Sequence, residues 1–143
     1  MNIHMTAFEI ARWRLLMPLA GLLALMAGSA LHAAPLTADD QQFLSAYIRI
    51  HDALVANDLS GVRKASAMLP VGTETRLANA GSIHSARDEF AKLTPRAEKL
   101  AANQPEYHIF YCPMAKLDWV QMSRAVENPY LGPDMRTCGV EKK

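Results

Sequence analysis

The sequence predicts a mainly α fold, an antiparallel bundle of three to four helices closed by an irregular C-terminal segment that contains both cysteines. Two observations carry this expectation. Apolar residues recur at three- and four-residue spacing from Phe43 to Leu100, and that period is lost after Pro105, where prolines, cysteines and methionines gather. The composition agrees with a single globular unit. Of 143 residues, 50% are hydrophobic and 20% charged, and the mean hydropathy is −0.02, which excludes disordered, collagen-like and multi-span membrane chains.

The first segment reads as an export signal. Arg12 and Arg14 precede an apolar run from Leu15 to Leu31, and Leu31-His32-Ala33-Ala34 offers small residues for cleavage. A retained anchor is the competing reading, because Leu15–Ala34 approaches the roughly 20 residues that span a bilayer. Pro18, Gly21, Gly28 and Ser29 weaken it, and the polar stretch Thr37-Ala38-Asp39-Asp40 follows at once. The expected organisation is a signal peptide at 1–33 and one helical-bundle domain at 34–143, with a C-terminal loop region at 106–140. Removing 1–33 takes away Arg12, Arg14 and Glu9 and leaves 13 basic and 13 acidic residues over 110 positions. Zero net charge argues against capture of nucleic acid, and no membrane contact is expected after cleavage. The mature chain is expected in the periplasm, an oxidising compartment.

Within the mature chain, Thr37 and Asp40 approach a capping box, and Phe43, Tyr47, Ile50 and Leu54 form one face of a helix of about five turns. Asn57-Asp58 is a break and a new N-cap. Leu59, Val62, Ala65 and Leu69 then mark a shorter helix that stops at Pro70. Residues 71–81 read as a loop. A third helix begins near Ser82 or Ser85 and presents Ile83, Phe90, Leu93, Ala97 and Leu100, with Pro95 expected to kink or divide it, Thr94 serving as N-cap in the second case. Beyond Pro105, Tyr107–Tyr111 is aromatic and β-branched, and Pro113, Pro129 and Pro133 interrupt the chain.

This last section concentrates soft ligands. Cys112-Pro113-Met114 and Met135-Arg136-Thr137-Cys138 each present two sulfurs in one direction, at strand spacing in the first and at helical-turn spacing in the second. If 108–114 is extended, His108 shares the face of Cys112. Thiolate, thioether and imidazole together favour Cu(I) and other soft metals over Mg or Ca, so Cys112, Met114, Met135 and Cys138, with His108, form a candidate Cu(I) site. Arg136 beside Met135 would favour the thiolate form. The alternative is a structural disulfide between Cys112 and Cys138, which would close a long loop and stabilise by about 3 kcal/mol; the methionines would then fill core gaps. Both readings remain open at the level of spacing. His51 and His84 read as surface or core-edge residues.

The string Tyr111-Cys112-Pro113-Met114-Ala115, followed by Trp119, Asn128-Pro129-Tyr130-Leu131-Gly132, Met135 and Cys138-Gly139, resembles the C-terminal signature of an uncharacterised bacterial exported family, domain of unknown function 3347. Asp52-Ala53-Leu54-Val55 and Arg87-x-x-Phe90-x-x-Leu93-Thr94 extend the resemblance over residues 40–140. It implies a small secreted protein or a module of the periplasmic adaptor subunits of heavy-metal efflux systems, and therefore copper or related metal handling with an efflux-pump component as a partner. Without metal, the chain would be a disulfide-stapled interaction domain of the envelope.

Catalysis is not expected. His108 lies four residues from Cys112, but no third orienting group can be named, and CxxC, GxSxG, P-loop and HExxH motifs are missing from the sequence. Expressed with its own leader in a Gram-negative host, the chain should be recovered from the periplasm with Ala34 as its first residue by N-terminal sequencing. A full-length species that stays in the membrane fraction after alkaline extraction would establish an anchor instead.

Overall fold

Thr37 starts helix α1 (Ala38–Val55): its side chain accepts the Asp40 N–H at 3.2 Å, and its hydroxyl donates to the Asp40 carboxylate at 2.7 Å. The computed structural model describes residues 35–73 and 75–142. The expected export segment lies outside them, and among the described residues no helix is long and apolar enough to cross a membrane. At the end of α1 Asn57 takes φ 58°, a left-handed conformation that asparagine tolerates. Asp58 then caps α2 (Leu59–Ser66) by accepting the Gly61 N–H at 2.9 Å. The stripe that continues to Leu69 finishes as turns. Ser82 and Ser85 form a reciprocal capping box at the start of α3 (Ile83–Ala101).

Phe43, Leu44, Tyr47, Ile50 and Leu54 of α1 are fully buried, and Val62 of α2 and Phe90 and Ala97 of α3 belong to the same core. Tyr47 and Phe90 stack with ring centroids 4.4 Å apart. Pro95 neither divides α3 nor leaves Thr94 as a cap, because the helix runs unbroken through both residues. Thr94 is buried and directs its hydroxyl into the core.

The mainly α bundle is corrected by the C-terminal third. Residues expected as irregular chain form a three-stranded antiparallel sheet of β1 (His108–Cys112), β2 (Leu117–Gln121) and β3 (Val140–Glu141) in the order β2-β1-β3. Among the described residues the fold is therefore mixed, three α-helices with a small sheet. The reasons are local. Cys112 pairs with Leu117 across a four-residue turn, and the residue with positive φ in that turn is Lys116 at 55°, where a hairpin would advertise itself with Gly or Asn. The Lys116 N–H closes the turn on the Cys112 carbonyl at 2.7 Å. Strand β2 buries Trp119, Val120 and Gln121 in succession, so it lacks the alternation of a half-buried strand. The two residues of β3 have no strand signal of their own and depend on β1 for pairing.

The outer edge of β2 is sealed by a chain of hydroxyls. The Val120 N–H donates to the Tyr47 hydroxyl at 3.3 Å, Tyr47 and Thr94 are 2.9 Å apart, Thr94 and Tyr130 3.0 Å, and the Tyr130 hydroxyl donates to the Asp118 carbonyl at 2.7 Å. Each hydroxyl has one proton, so the direction is determined. Tyr130 spends its proton on Asp118 and must accept from Thr94, which in turn must accept from Tyr47. Burial pushes both phenols above their ordinary range, and they remain donors. Thr94→Val keeps the shape and removes the central link, leaving the Tyr47 hydroxyl without its acceptor. Urea denaturation should show a loss of about 1–3 kcal/mol, whereas an unchanged midpoint would mean that the edge does not need the chain.

Candidate metal centre

The sulfurs of Cys112 and Cys138 lie 3.4 Å apart, and both are free thiols. Cys112 ends β1 and is fully buried, whereas Cys138 precedes β3 and is half-buried. Extending the register in which Tyr111 faces Val140 puts Gly139 opposite Cys112 and Cys138 one residue beyond. Glycine is required there. A Cβ on Gly139 would overlap Trp119 and come within 3.1 Å of Val126 Cγ1, so any side chain would push this strand, and Cys138 with it, off the sheet.

Two buried amides hold the loop that delivers Cys138. Gln121 accepts from the Trp119 indole at 2.7 Å and the Glu127 N–H at 3.2 Å, and donates to the Ser123 and Ala125 carbonyls at 2.6 Å each. Asn128 accepts the N–H groups of Tyr130 at 2.8 Å and Leu131 at 3.2 Å, donates to the Cys138 carbonyl at 2.6 Å, and hydrogen bonds to the Cys112 sulfur. Each amide uses its full capacity of two accepted and two donated bonds. From the helices, Arg87 donates to the Pro129 carbonyl at 2.9 Å and the Leu131 carbonyl at 3.3 Å. His51, expected at the surface or the core edge, is buried in α1 and donates from Nε2 to the Glu127 carbonyl at 2.8 Å. This loop is thus tied to both long helices.

The thiols are electrostatically unequal. Burial opposes ionisation of Cys112, but the Ala115 N–H at 3.3 Å, the Cys138 thiol, the Asn128 side chain and the Met114 N–H outweigh it and hold Cys112 below the ordinary thiol range. Cys138 is raised, first by its hydrogen bond to Cys112, then by desolvation and by the charge on Cys112. Of the two, Cys112 is the sulfur whose thiolate the surroundings favour, and Cys138 is the one that holds its proton more firmly. Arg136, expected to favour the thiolate, is exposed, and the work is done instead by neutral dipoles at the Cys112 turn.

Of the other expected ligands, the two methionines lie on turns next to the cysteines in the chain, and His108 lies at the far end of β1. Met114 lies in the turn after Cys112, and Met135 ends a short 3-10 turn (Pro133–Met135) whose Met135 carbonyl accepts the Cys138 N–H at 3.0 Å. Both side chains are exposed, at 64% and 39%, so neither fills a core gap. His108 begins β1 with its Nδ1 2.9 Å from Glu141 Oε1. The four-residue rise of the strand sets it about 13 Å from Cys112, outside reach of the sulfurs. Among the described residues no three His, Cys, Asp or Glu side chains converge as a metal cluster. Compared with protein-family models, curated proteins and solved structures, the chain has no match.

Asn128, Ala115 and Gly139 are the residues that spacing alone did not assign to the site, although Asn128, Ala115 and Gly139 all fall within the Cys-Pro-Met-Ala, Asn-Pro-Tyr and Cys-Gly strings. Followed by ultraviolet thiolate absorbance, the pair should lose its first proton below the ordinary thiol range and its second above it. Asn128→Ala should move the first step upward. Two overlapping steps at the ordinary value would show that the sulfurs do not share a proton.

Proposed function

We propose that this protein binds a soft monovalent metal of the Cu(I) type in the periplasm, through the Cys112 and Cys138 sulfurs with the thioethers of Met114 and Met135 as auxiliary ligands. The observation that carries the proposal is the contact of two free thiols, one of them favoured as thiolate by surrounding N–H groups. Two ligands at about 2.3 Å from a tetrahedral metal are about 3.8 Å apart. The 3.4 Å between these sulfurs is a few tenths of an ångström from that chord. Loading therefore asks for a small opening and no refolding of the loop.

The methionines favour the same reading. Met is ordinarily a filler of irregular cores, yet Met68, Met114, Met122 and Met135 are 40%, 64%, 54% and 39% exposed, and two of them adjoin the cysteines. A zinc site normally takes thiolate or imidazole at all four positions, whereas thiolate with thioether suits Cu(I). His108, about 13 Å along β1 from Cys112 and paired with Glu141, is outside this ligand set. The expected export segment and the resemblance to the exported family favour a place beside a heavy-metal efflux component, with metal passed on or buffered. No bond-making on an organic substrate is part of the proposal.

Competition against a Cu(I) chelator tests it. Reduced protein should take up one equivalent, and Cys112→Ser or Cys138→Ser should weaken binding by more than the roughly 10–100-fold typical of changes outside the ligand shell. Met114→Leu and Met135→Leu should cost several-fold while circular dichroism stays unchanged, because Leu keeps the apolar volume. Equal competition by wild type and the double Cys→Ser variant would end the proposal.

A further inference from the structure

The two thiols differ in access, and this bears on chemistry that metal binding does not use. Cys138 is half-buried and Cys112 fully buried. Their sulfurs are in contact at 3.4 Å, so a bond between them requires only that they close on one another. The Ala115 N–H and the Asn128 amide are aimed at the Cys112 sulfur, where they can receive charge on a departing or attacking thiolate. We propose that Cys112 and Cys138 are a reversible thiol–disulfide couple in which Cys138 exchanges with external disulfides and thiols while Cys112 is the buried resolving sulfur.

The oxidation balances as two exchange steps. Cys138 gives its proton to water and attacks an external disulfide RS–SR; the Cys138–SR bond forms, the RS–SR bond breaks and RS⁻ leaves. Cys112 gives its proton to that RS⁻ and attacks the Cys138 sulfur, releasing the second RS⁻ as the bridge closes. The protein gives up two electrons and the external disulfide gains them. In the reverse direction a thiolate attacks the accessible Cys138 sulfur, and Cys112 departs into its ring of N–H donors. The exchange stands independently of any metal. Its consequence, that the oxidised protein releases Cu(I), rests on the function proposed above.

Metal-free protein, purified from a Gram-negative host expressing the full chain and then reduced, is exposed to oxidised glutathione and followed by intact mass. Wild type should lose two hydrogens without accumulating an adduct. Cys112→Ser should retain one glutathione on Cys138, and Cys138→Ser should acquire its adduct at least about tenfold more slowly, as access controls exchange. Equal rates for the two variants, or wild type that carries two adducts and no bridge, would overturn the proposal. Should a variant fail to fold by circular dichroism, wild type quenched with acid early in the reaction decides: the mixed disulfide must map to Cys138, and its appearance on Cys112 would refute the assignment. Chelator competition before and after oxidation separates the two readings. Bridge formation in a protein that never bound Cu(I) ends the metal reading alone, and Cu(I) binding that survives a formed bridge ends the link between them.

Discussion

The outer edge of β2 has to be satisfied for the remainder of the C-terminal third to pack. An edge strand buried against helices presents N–H and C=O groups that can reach neither water nor another strand. Here the Val120 N–H and the Asp118 carbonyl are joined through Tyr47, Thr94 and Tyr130, which replaces a fourth strand with three hydroxyls contributed by α1, α3 and the loop after the hairpin. Desolvated amide and carbonyl groups left unpaired would each cost on the order of 1–3 kcal/mol. The same phenols supply apolar area, with Tyr47 stacked on Phe90 and Tyr130 edge-on to Trp119 at 6.3 Å. One set of side chains thus serves the core and the sheet edge together.

The loop after β2 is ordered from the same side. Tyr130 cannot reach Thr94 unless residues 122–129 fold back over Trp119, and Gln121 and Asn128 saturate their amides in forcing that path. Arg87 and His51 fasten the result to the helices through carbonyls. These contacts specify backbone positions, which is why the chain can return to β1 as the two-residue β3 and deliver Cys138 to Cys112. The accuracy of a sulfur–sulfur contact is inherited from hydrogen bonds several residues away.

That arrangement suits a site in which the protein supplies few ligands but holds them closely. Neutral dipoles rather than a nearby cation favour the Cys112 thiolate, so the site gains no fixed positive charge that would repel a metal ion. In the proposed Cu(I) site the surface thioethers would add soft donors without adding charge.

By itself the sequence determined the three helices, because caps and apolar period are local properties: Thr37, Asp58 and Ser82 are the N-caps, and the stripes through Phe43 and Phe90 are the buried faces. It also made the two cysteines the centre of attention, since soft ligands at close spacing are legible without a fold. It did not disclose the sheet. A turn whose left-handed residue is Lys116, a strand buried at three successive positions and a two-residue partner strand carry no period to read. Tertiary structure decided that Thr94 points inward as a relay and not outward as a cap, that His51 is buried while Met114 is exposed, and that His108 and Cys112, sharing one face of β1, are too far apart to share a ligand. Each of these depends on which element from a distant part of the chain lies against the residue, and local spacing contains no record of that neighbour.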